Sequence, residues 1–413
     1  MITISASAPT LTHLDYEATL DCVHCGLCLP DCPTYRETGR ESSSPRGRIS
    51  LMRGFAEGHL ELDRELVSEM YFCLACRACE SACPAGVRYG HLVETMRAEI
   101  DERSARPRRT RFLQRLALRR VLGSPRTLAF FVSLLRAYQR SGAQRVFRGS
   151  LARLLPGLGR MERLLPPLGP PHRPPLFVPA HGRRRGRVAF FRGCLMPEFF
   201  GSINAATVEV LSRNGFEVTI PAGQRCCGAL HTHAGDPAGA ARLRRRNRSA
   251  FRLDTVDAIV VNSAGCGAEL KGLDDGLGRK ARDVSEFLAD AGLREPLAPV
   301  PLRVAYDDPC HLVHGQGIEK APRLLLGSIP ELELIDLPGC RDCCGAAGIY
   351  NLTHPETADR LLRAKVEAIS RLRPDVVATG NPGCLLQIGV GVREAGLRVE
   401  MAHPIELLAR AHR

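Results

Sequence analysis

The chain lacks several features that mark the commoner functions of a protein of its length. Its 413 residues include no tryptophan and only 5% aromatic residues, so no platform for stacking nucleic-acid bases accompanies its positive charge. It has no Gly-x-Gly-x-x-Gly turn after a strand and no P-loop, the usual motifs for nicotinamide, flavin and nucleotide phosphates. We therefore expect neither a nucleic-acid-binding protein nor an enzyme that accepts hydride by itself.

Long apolar runs are also missing. The longest candidate, Leu128–Leu135, is far shorter than the roughly 20 residues that a membrane-spanning helix needs. The segment Met1–Leu14 has neither a basic start nor an apolar stretch, so we expect no signal peptide. The sequence thus predicts a cytoplasmic protein, in which reducing conditions keep thiols available for metal.

The net charge of +13 is confined to one segment. Between Arg103 and Arg192 lie 22 arginines and a single acid, Glu162, whereas the rest of the chain has a net charge of −8. Apolar residues at helical spacing fill the first half of the segment, and three Pro-Pro pairs in the second half are typical of an extended linker. A basic amphipathic stretch suits anionic lipid headgroups or an acidic partner. The alternative is a connecting helix whose arginines are merely solvated.

Cysteine is abundant, with 17 residues, and eight of these form two near-identical runs. Each run has the spacing Cys-x-x-Cys-x-x-Cys-x-x-x-Cys-Pro and begins at Cys22 or Cys73. This is the ligand pattern of bacterial-type ferredoxins with two [4Fe–4S] clusters, in which the fourth cysteine of each run binds the other cluster. The odd number of cysteines argues against a disulfide framework, and structural zinc takes two separated pairs of ligands. The runs therefore predict transfer of single electrons.

The second half of the chain repeats itself with a period near 116 residues. The segment Arg187–Cys194 matches Arg303–Cys310, and a Cys-Cys-Gly sequence follows in both copies. The first paired cysteine comes 32 and 33 positions later, and a last cysteine follows the second paired cysteine by 39 and 40 positions. Such agreement predicts two duplicated modules that share one site geometry.

Each module alternates short apolar strands with amphipathic helices, such as the helix predicted over Pro355–Leu372. This alternation predicts a mostly parallel α/β sheet, in which ligands bind beyond the carboxyl ends of the strands. Four cysteines directly follow predicted strands: Cys194, Cys266, Cys310 and Cys384. The predicted fold class is therefore α+β, with a helical ferredoxin-type domain, a helical basic linker and two α/β modules.

The cysteines of the two modules form two candidate metal sites. The second module offers a candidate third cluster with the ligands Cys310, Cys343, Cys344 and Cys384, and with Cys340 as a spare ligand. The first module offers a further site with Cys194, Cys226, Cys227 and Cys266. An iron–sulfur cluster, zinc and a purely structural role remain open for both sites. Neither module ends in a complete Cys-x-x-Cys, because Ser263 and Asn381 occupy the earlier position.

With these motifs in view, the chain resembles the iron–sulfur subunits of bacterial glycolate oxidase (glycolate dehydrogenase) over nearly its whole length. Three stretches without obvious metal-binding logic add to the likeness: Gly193–Gly201, Asp308–Gly315 and Gly380–Gln387. The small subunit of anaerobic glycerol-3-phosphate dehydrogenase and the heterodisulfide reductase subunits share the architecture. The resemblance implies a complex in which FAD-containing flavoprotein subunits oxidise glycolate to glyoxylate. Electrons then leave through the iron–sulfur subunit toward the quinone pool, on the inner face of the cell membrane.

The resemblance also implies ligand sets for the two clusters. The first cluster would be held by Cys22, Cys25, Cys28 and Cys83, and the second by Cys73, Cys76, Cys79 and Cys32. This chain alone would not be catalytic. Because so many ligands fall within the first 100 residues or so, we expect the region to have little apolar core and to depend on its clusters for folding.

The predicted domains are a ferredoxin-type domain (1–102), the Arg/Pro-rich linker (103–186), the first module (187–300) and the second module (301–413). Two alternative functions stay open. One is a heterodisulfide or thiol–disulfide reductase subunit that acts at a Cys-Cys-Gly cluster. The other is the same relay role for a lactate or glycerol-3-phosphate dehydrogenase, since the substrate would bind to a different polypeptide.

Overall fold

The computed structural model describes residues 9–412; the first eight residues, which entered the signal-peptide prediction, lie outside this part. The N-terminal helices are α1 (Tyr16–Leu20), α2 (Pro33–Thr38), α3 (Pro45–Ala56), α4 (Arg64–Phe72), α5 (Ala78–Ser81), α6 (Tyr89–Glu102), α7 (Arg108–Leu116), α8 (Pro125–Arg140), α9 (Ala143–Val146), α10 (Ala152–Leu154) and α11 (Pro156–Arg163). Short 3-10 or π-type turns occur at Glu41–Ser43, Ala117–Leu122 and Phe147–Leu151. Within the described residues, no helix is both long and apolar enough to cross a membrane.

Strands occur only in the C-terminal part of the described chain, from residue 177 onward. They are β1 (Phe177–Val178), β2 (Gly186–Phe191), β3 (Phe216–Thr219), β4 (Ala258–Val261), β5 (Ala281–Asp283), β6 (Arg303–Tyr306), β7 (Glu333–Asp336), β8 (Val376–Ala378) and β9 (Glu400–Ala402). The helices of this half are α12 (Met196–Phe199), α13 (Gly201–Arg213), α14 (Ala229–His233), α15 (Pro237–Ala250), α16 (Ala264–Lys271), α17 (Gly276–Lys280), α18 (Val284–Ala291), α19 (Cys310–Gln316), α20 (Lys320–Gly327), α21 (Tyr350–Thr353), α22 (Pro355–Leu372), α23 (Pro382–Glu394) and α24 (Pro404–Ala411).

The chain divides into two compact units: residues 1–119 with 228–241, and residues 120–227 with 242–413. The first unit is helical, and its core is formed mainly by apolar side chains of α3, α4 and α6. Met52, Met70, Leu92 and Met96 are fully buried there. This core is larger than the sequence analysis predicted, because residues spaced over 80 positions combine in it.

The second unit contains two sheets with matching topology. The first has the strand order β1-β3-β2-β4-β5 and the second β7-β6-β8-β9, so strands β3-β2-β4-β5 correspond to β7-β6-β8-β9. All of these corresponding strands pair in parallel. The predicted duplication and the predicted parallel α/β sheets are therefore confirmed.

Polar contacts at the strand starts repeat as well. Asp257 accepts a hydrogen bond from the backbone N–H of Arg187 at 2.8 Å, and Asp375 accepts one from Arg303 at the same distance. The two sheets share one apolar core, to which β2, β4, β6, β8, α13 and α24 contribute. The first sheet also includes β1, which pairs antiparallel with β3. This strand lies in the segment that the prolines predicted to be an extended linker.

Candidate metal centres

Both cysteine runs fold with the same alternation of backbone conformation. The second and fourth residues after the first cysteine have positive φ in each run: His24 (56°) and Gly26 (86°), then Ala75 (52°) and Arg77 (65°). For a residue other than glycine this costs on the order of 1–3 kcal/mol, so the surrounding structure must impose it. Such alternation forms anion-binding nests of backbone N–H groups, which many iron–sulfur sites use. Both loops are therefore built to surround a negatively charged group.

Four cysteines from both runs line one cavity in the first unit. Cys32, the last cysteine of the first run, lines a small pocket, partly open to solvent, together with Cys73, Cys76 and Cys79 of the second run. Cys32 is fixed there as the residue that precedes helix α2, whose first residue is Pro33. Proline suits this position because its φ is already helical and its missing N–H has no helical partner there. The structure thus brings together the crossed set of cysteines that the resemblance implies.

Hydrogen-bonding groups lie close to the cysteine sulfur atoms of this cavity. The Ala75 backbone N–H donates to Cys73 Sγ at 3.3 Å, and the Tyr89 hydroxyl donates to the same atom at 3.7 Å. Thr34 Oγ1 lies 3.3 Å from Cys32 Sγ. Burial raises the pKa of Tyr89, which keeps its hydroxyl protonated and able to donate. Donors of this kind stabilise negative charge on a cluster and tune its potential.

The first run lies nearer the surface. Cys25 is exposed, and its neighbours Val23 and Leu27 have 70% and 58% of their surface exposed. The remaining cysteines of the implied first set are half-buried against the core of this unit: Cys22, Cys28 and Cys83. A cluster here would lie close to solvent and to any docked partner.

The thiols of each module also converge. In the first module the Cys194 thiol hydrogen-bonds with Cys226, and the Cys227 thiol hydrogen-bonds with Cys226 and Cys266. Hydrogen bonding and burial together raise the pKa of the Cys194 and Cys227 thiols well above the usual value. All four cysteines that the sequence places in this site are therefore neighbours.

The second module repeats this arrangement. The Cys343 thiol hydrogen-bonds with Cys310 and Cys344, and the Cys344 thiol hydrogen-bonds with Cys384. Hydrogen bonds from Cys343 and Cys384 hold the pKa of Cys344 well below its usual value. Cys340, the additional candidate ligand, lies beside the ion pair of Arg323 and Asp308. Its Sγ atom is 3.8 Å from Arg323 Nη2.

Backbone geometry explains the position of these cysteines. Cys266 and Cys384 lie in the first turns of α16 and α23, directly beyond strands β4 and β8. The amino end of a helix favours an anion such as a thiolate. The glycines that close the Cys-Cys-Gly sequences, Gly228 and Gly345, have φ of 109° and 86°, which side-chain-bearing residues rarely adopt.

The two modules differ in the buried residue beneath the Cys-Cys-Gly loop. In the second module the Lys365 ammonium contacts Asp307 at 2.5 Å and donates to the carbonyl of Gly339 at 2.9 Å. Burial alone would lower the pKa of Lys365, but Asp307 raises it, so the ammonium keeps its charge. In the first module the buried residue at the Cys-Cys-Gly loop is Asn247 of α15, which donates to the Cys226 carbonyl at 3.0 Å. Only the second of these two loops rests on a buried cation.

Many arginines of the basic segment are already paired with acids from elsewhere in the chain. Within the first unit, Arg115 contacts Asp101 at 2.7 Å, and Arg119 contacts buried Asp236 at 2.5 and 2.9 Å. The arginines of this segment were predicted either to dock on a surface or partner or to be merely solvated, but Arg115 and Arg119 form ion pairs within the unit. Asp236, the partner of Arg119, is 117 positions away in the sequence, so the charge pattern along the chain does not reveal this ion pair.

Among the described side chains, no group of three or more His, Cys, Asp or Glu residues is placed to hold a single metal ion. Each of the two N-terminal cysteine runs has the spacing of ligands to a [4Fe–4S] cluster. Paired loops of cysteines with inward backbone donors, joined to two cysteine-rich repeats, define an iron–sulfur protein of the electron-transfer class.

Comparison with known families agrees with this class. Residues 18–87 match the 4Fe-4S dicluster domain, residues 188–271 and 304–389 match the cysteine-rich domain, and residues 109–165 match the linker region of the glycolate oxidase iron-sulfur subunit. A "Probable glycolate oxidase iron-sulfur subunit" of Bacillus subtilis is 38% identical over 96% of this chain and 95% of its own length. The chain belongs to the glycolate oxidase iron–sulfur subunit family, and it carries iron–sulfur clusters.

Two further relatives span most of the chain. The glycolate oxidase iron-sulfur subunit of Escherichia coli is 34% identical over 94% of this chain and 93% of its own length. A fumarate reductase (CoM/CoB) subunit of Methanothermobacter marburgensis is 31% identical over 96% of this chain and 74% of its own length. One architecture is therefore shared by proteins that are named for different substrates.

Sequence reasoning missed the buried charged residues around the sites. Arg48 is fully buried at the cavity of the first unit, and Lys365 is 3% exposed below the second module. Neither belongs to a metal-binding motif.

Proposed function

We propose that this chain is the electron-transfer subunit of a glycolate dehydrogenase complex, and that it passes electrons from FAD-containing subunits toward quinone. The observation that carries the proposal is the pair of matching cysteine loops, one lining a pocket with mostly buried cysteines and one nearer the surface. Two clusters in these positions would carry electrons between the protein interior and a partner docked at the surface. The proposal is tested by whether glycolate oxidation needs an added flavoprotein.

In this proposal each cluster takes three ligands from one run and one from the other. Cys22, Cys25, Cys28 and Cys83 hold the first cluster, and Cys73, Cys76, Cys79 and Cys32 hold the second. The shared cavity of the last four residues supports the second set. When bound, the clusters supply reversible one-electron chemistry. The protein contributes the thiolates, the donors at sulfur and the exclusion of water.

We further propose that the second module holds a third cluster with ligands from Cys310, Cys343, Cys344 and Cys384. Lys365 supports the choice of this module, because its buried ammonium, paired with Asp307, also donates to the carbonyls of Gly339 and Cys340 just before the Cys-Cys-Gly sequence. In the first module Asn247 donates to the Cys226 carbonyl instead, and the occupancy of that module has to be measured separately.

A third cluster predicts about twelve irons per chain, and Cys344→Ser should return the count to about eight. Cys227→Ser, the matched change in the first module, should leave the count at about twelve. Iron analysis of anaerobically purified protein checks both values. About eight irons in the intact protein, without zinc, would mean that neither module holds metal and that both serve only as docking scaffolds.

We also propose that the complex is peripheral on the inner face of the membrane, held by the basic segment. Helix α7 supports this, because Phe112 and Leu113 are 66% and 62% exposed beside exposed arginines. A helix with exposed apolar and cationic residues can lie in the headgroup region. Each basic residue near an anionic surface contributes about 1 kcal/mol, and salt screens this attraction.

Replacing the exposed residues Arg108, Arg109 and Arg120 with Gln should release the protein from anionic vesicles at moderate salt. Arg115 and Arg119 are left unchanged, since their ion pairs with acids hold the unit together. A control that removes the same charge from the exposed face of α15 replaces Arg242, Arg245 and Arg246 with Gln. Vesicle sedimentation measures binding. Equal loss of binding in both variants, or in neither, would show that α7 has no special role.

A disulfide-reductase role is the second candidate. It is supported by the converging thiols of both modules and by the 31% identical relative named for CoM/CoB. Against it, Ser263 and Asn381 stand where a complete Cys-x-x-Cys would need cysteine. Asn381 Nδ2 instead donates to Cys384 Sγ at 3.5 Å. Reduction of a disulfide by the isolated chain with a viologen donor would favour this candidate.

A further inference from the structure

Arg48, a residue of α3, is a buried charge at the cavity lined by Cys32, Cys73, Cys76 and Cys79. Its side chain is 0% exposed, and the residue lines the cavity together with these cysteines. A guanidinium cannot lose its proton in a protein, so it remains a fixed positive charge. Burying such a charge is costly unless nearby groups compensate it.

The compensation is only partial. Arg48 Nε donates to the Glu69 carbonyl at 2.7 Å, and Nη1 donates to the Ser43 carbonyl at 2.8 Å and to Thr34 Oγ1 at 3.1 Å. Within the described residues, Nη2 is buried without a hydrogen-bond partner. Its ion pair with Glu69 is long, at 3.7 Å.

The Glu69 carboxylate is also shared with other donors. It accepts hydrogen bonds from Ser42 and Ser43 at 3.2 and 2.8 Å, and it faces exposed Arg40 at 3.5 Å. Burial opposes the charge of Arg48, but Tyr89, the nearby cysteines and Glu69 raise its pKa above the usual value. The nearest carboxylate is thus shared with other donors and lies at a long distance from the guanidinium.

We propose that Arg48 is a positioning residue that raises the reduction potential of the cluster at this cavity above that of the other cluster. The inference rests on the proposed ligand set. Reduction adds one electron, and hence one negative charge, to a site where a fixed cation already stands. A cation in a poorly solvated position stabilises the added charge much more than one in water.

Among the described residues, the cations at the surface run are only part-buried, including Arg53, which donates to the Cys22 carbonyl at 3.1 Å. Arg46, which donates to the His24 carbonyl at 3.0 Å, has 28% of its side chain exposed and pairs with Glu41 at 2.7 Å. Solvent and this acid both screen its charge. The two clusters are therefore expected to differ in potential even though their loops have the same spacing and backbone conformation.

The test is an anaerobic redox titration of the full chain followed by electron paramagnetic resonance. The cavity cluster is identified as the signal that Cys76→Ser abolishes. In Arg48→Met, its ratio of reduced to oxidised form at a fixed potential should fall at least tenfold, which is 59 mV for a one-electron couple. The signal of the surface cluster should stay within a twofold change, and Arg48→Lys should retain most of the wild-type ratio.

Two further variants keep the test decisive if Arg48→Met fails to fold. Glu69→Gln removes the acid and should shift the same cluster in the opposite direction, toward the reduced form. Arg40→Met removes an exposed charge next to the same acid and should change little. Unchanged potentials in Arg48→Met or Glu69→Gln, with about eight irons retained in the two N-terminal clusters, would overturn the role of Arg48. Wild-type protein without these irons would instead refute the ligand set.

Discussion

Replacing Cys32 with serine is expected to remove about four irons per chain and to abolish the signal of the cavity cluster. The reason is the position of Cys32, which lies in the first run but lines the cavity of Cys73, Cys76 and Cys79. Cys76→Ser should have the same spectroscopic effect, although it alters the other run. Cys25→Ser should remove the other four irons and spare the cavity cluster.

The pairing of these variants tests the crossing of ligands. If each run held its own cluster, Cys32→Ser would resemble Cys25→Ser rather than Cys76→Ser. Full iron content with unchanged spectra in any of the three would contradict the assignment of that residue as a ligand. Local order should also be lost around the missing cluster, because the loops that would surround it contain strained backbone conformations at His24 and Ala75.

The isolated chain is expected not to oxidise glycolate, lactate or any other 2-hydroxy acid with an artificial dye. Oxidation of glycolate to glyoxylate removes two electrons and two protons, whereas each iron–sulfur cluster takes one electron. A cofactor such as a flavin must accept the pair and release single electrons. Activity with a quinone acceptor should therefore appear only when a flavoprotein partner is added.

The matched control is Cys76→Ser combined with the same flavoprotein. It should bind the partner but fail to pass electrons to quinone, because it lacks the cavity cluster. Substrate oxidation by the isolated, flavin-free chain would overturn the relay proposal. Activity of the complex with lactate but not glycolate would keep the relay and change only the substrate.

Local patterns were enough to predict much of this molecule. The cysteine spacings predicted a two-cluster iron–sulfur domain, and the family comparisons confirm this. The repeat period predicted duplicated parallel sheets, and the helix predicted over Pro355–Leu372 has these bounds in the structure. Ligand spacing and hydrophobic periodicity are visible within short windows, which is why these features can be read from one sequence.

Features that depend on distant contacts could not be predicted in this way. Arg119 pairs with Asp236 across 117 positions, and Arg48 is buried by residues of three separate segments. Strand β1 forms because it pairs with β3, although prolines precede it in the sequence. Charge counting along the chain cannot distinguish such buried or paired arginines from solvated ones.

The most direct test of the central claim is the content of iron, acid-labile sulfide and zinc per chain after anaerobic purification. The proposed electron relay predicts at least about eight irons with a similar amount of labile sulfide, and no stoichiometric zinc. An iron content near twelve would add the cluster of the second module. One or more zinc ions per chain without labile sulfide would contradict the claim that this protein carries electrons on iron–sulfur clusters.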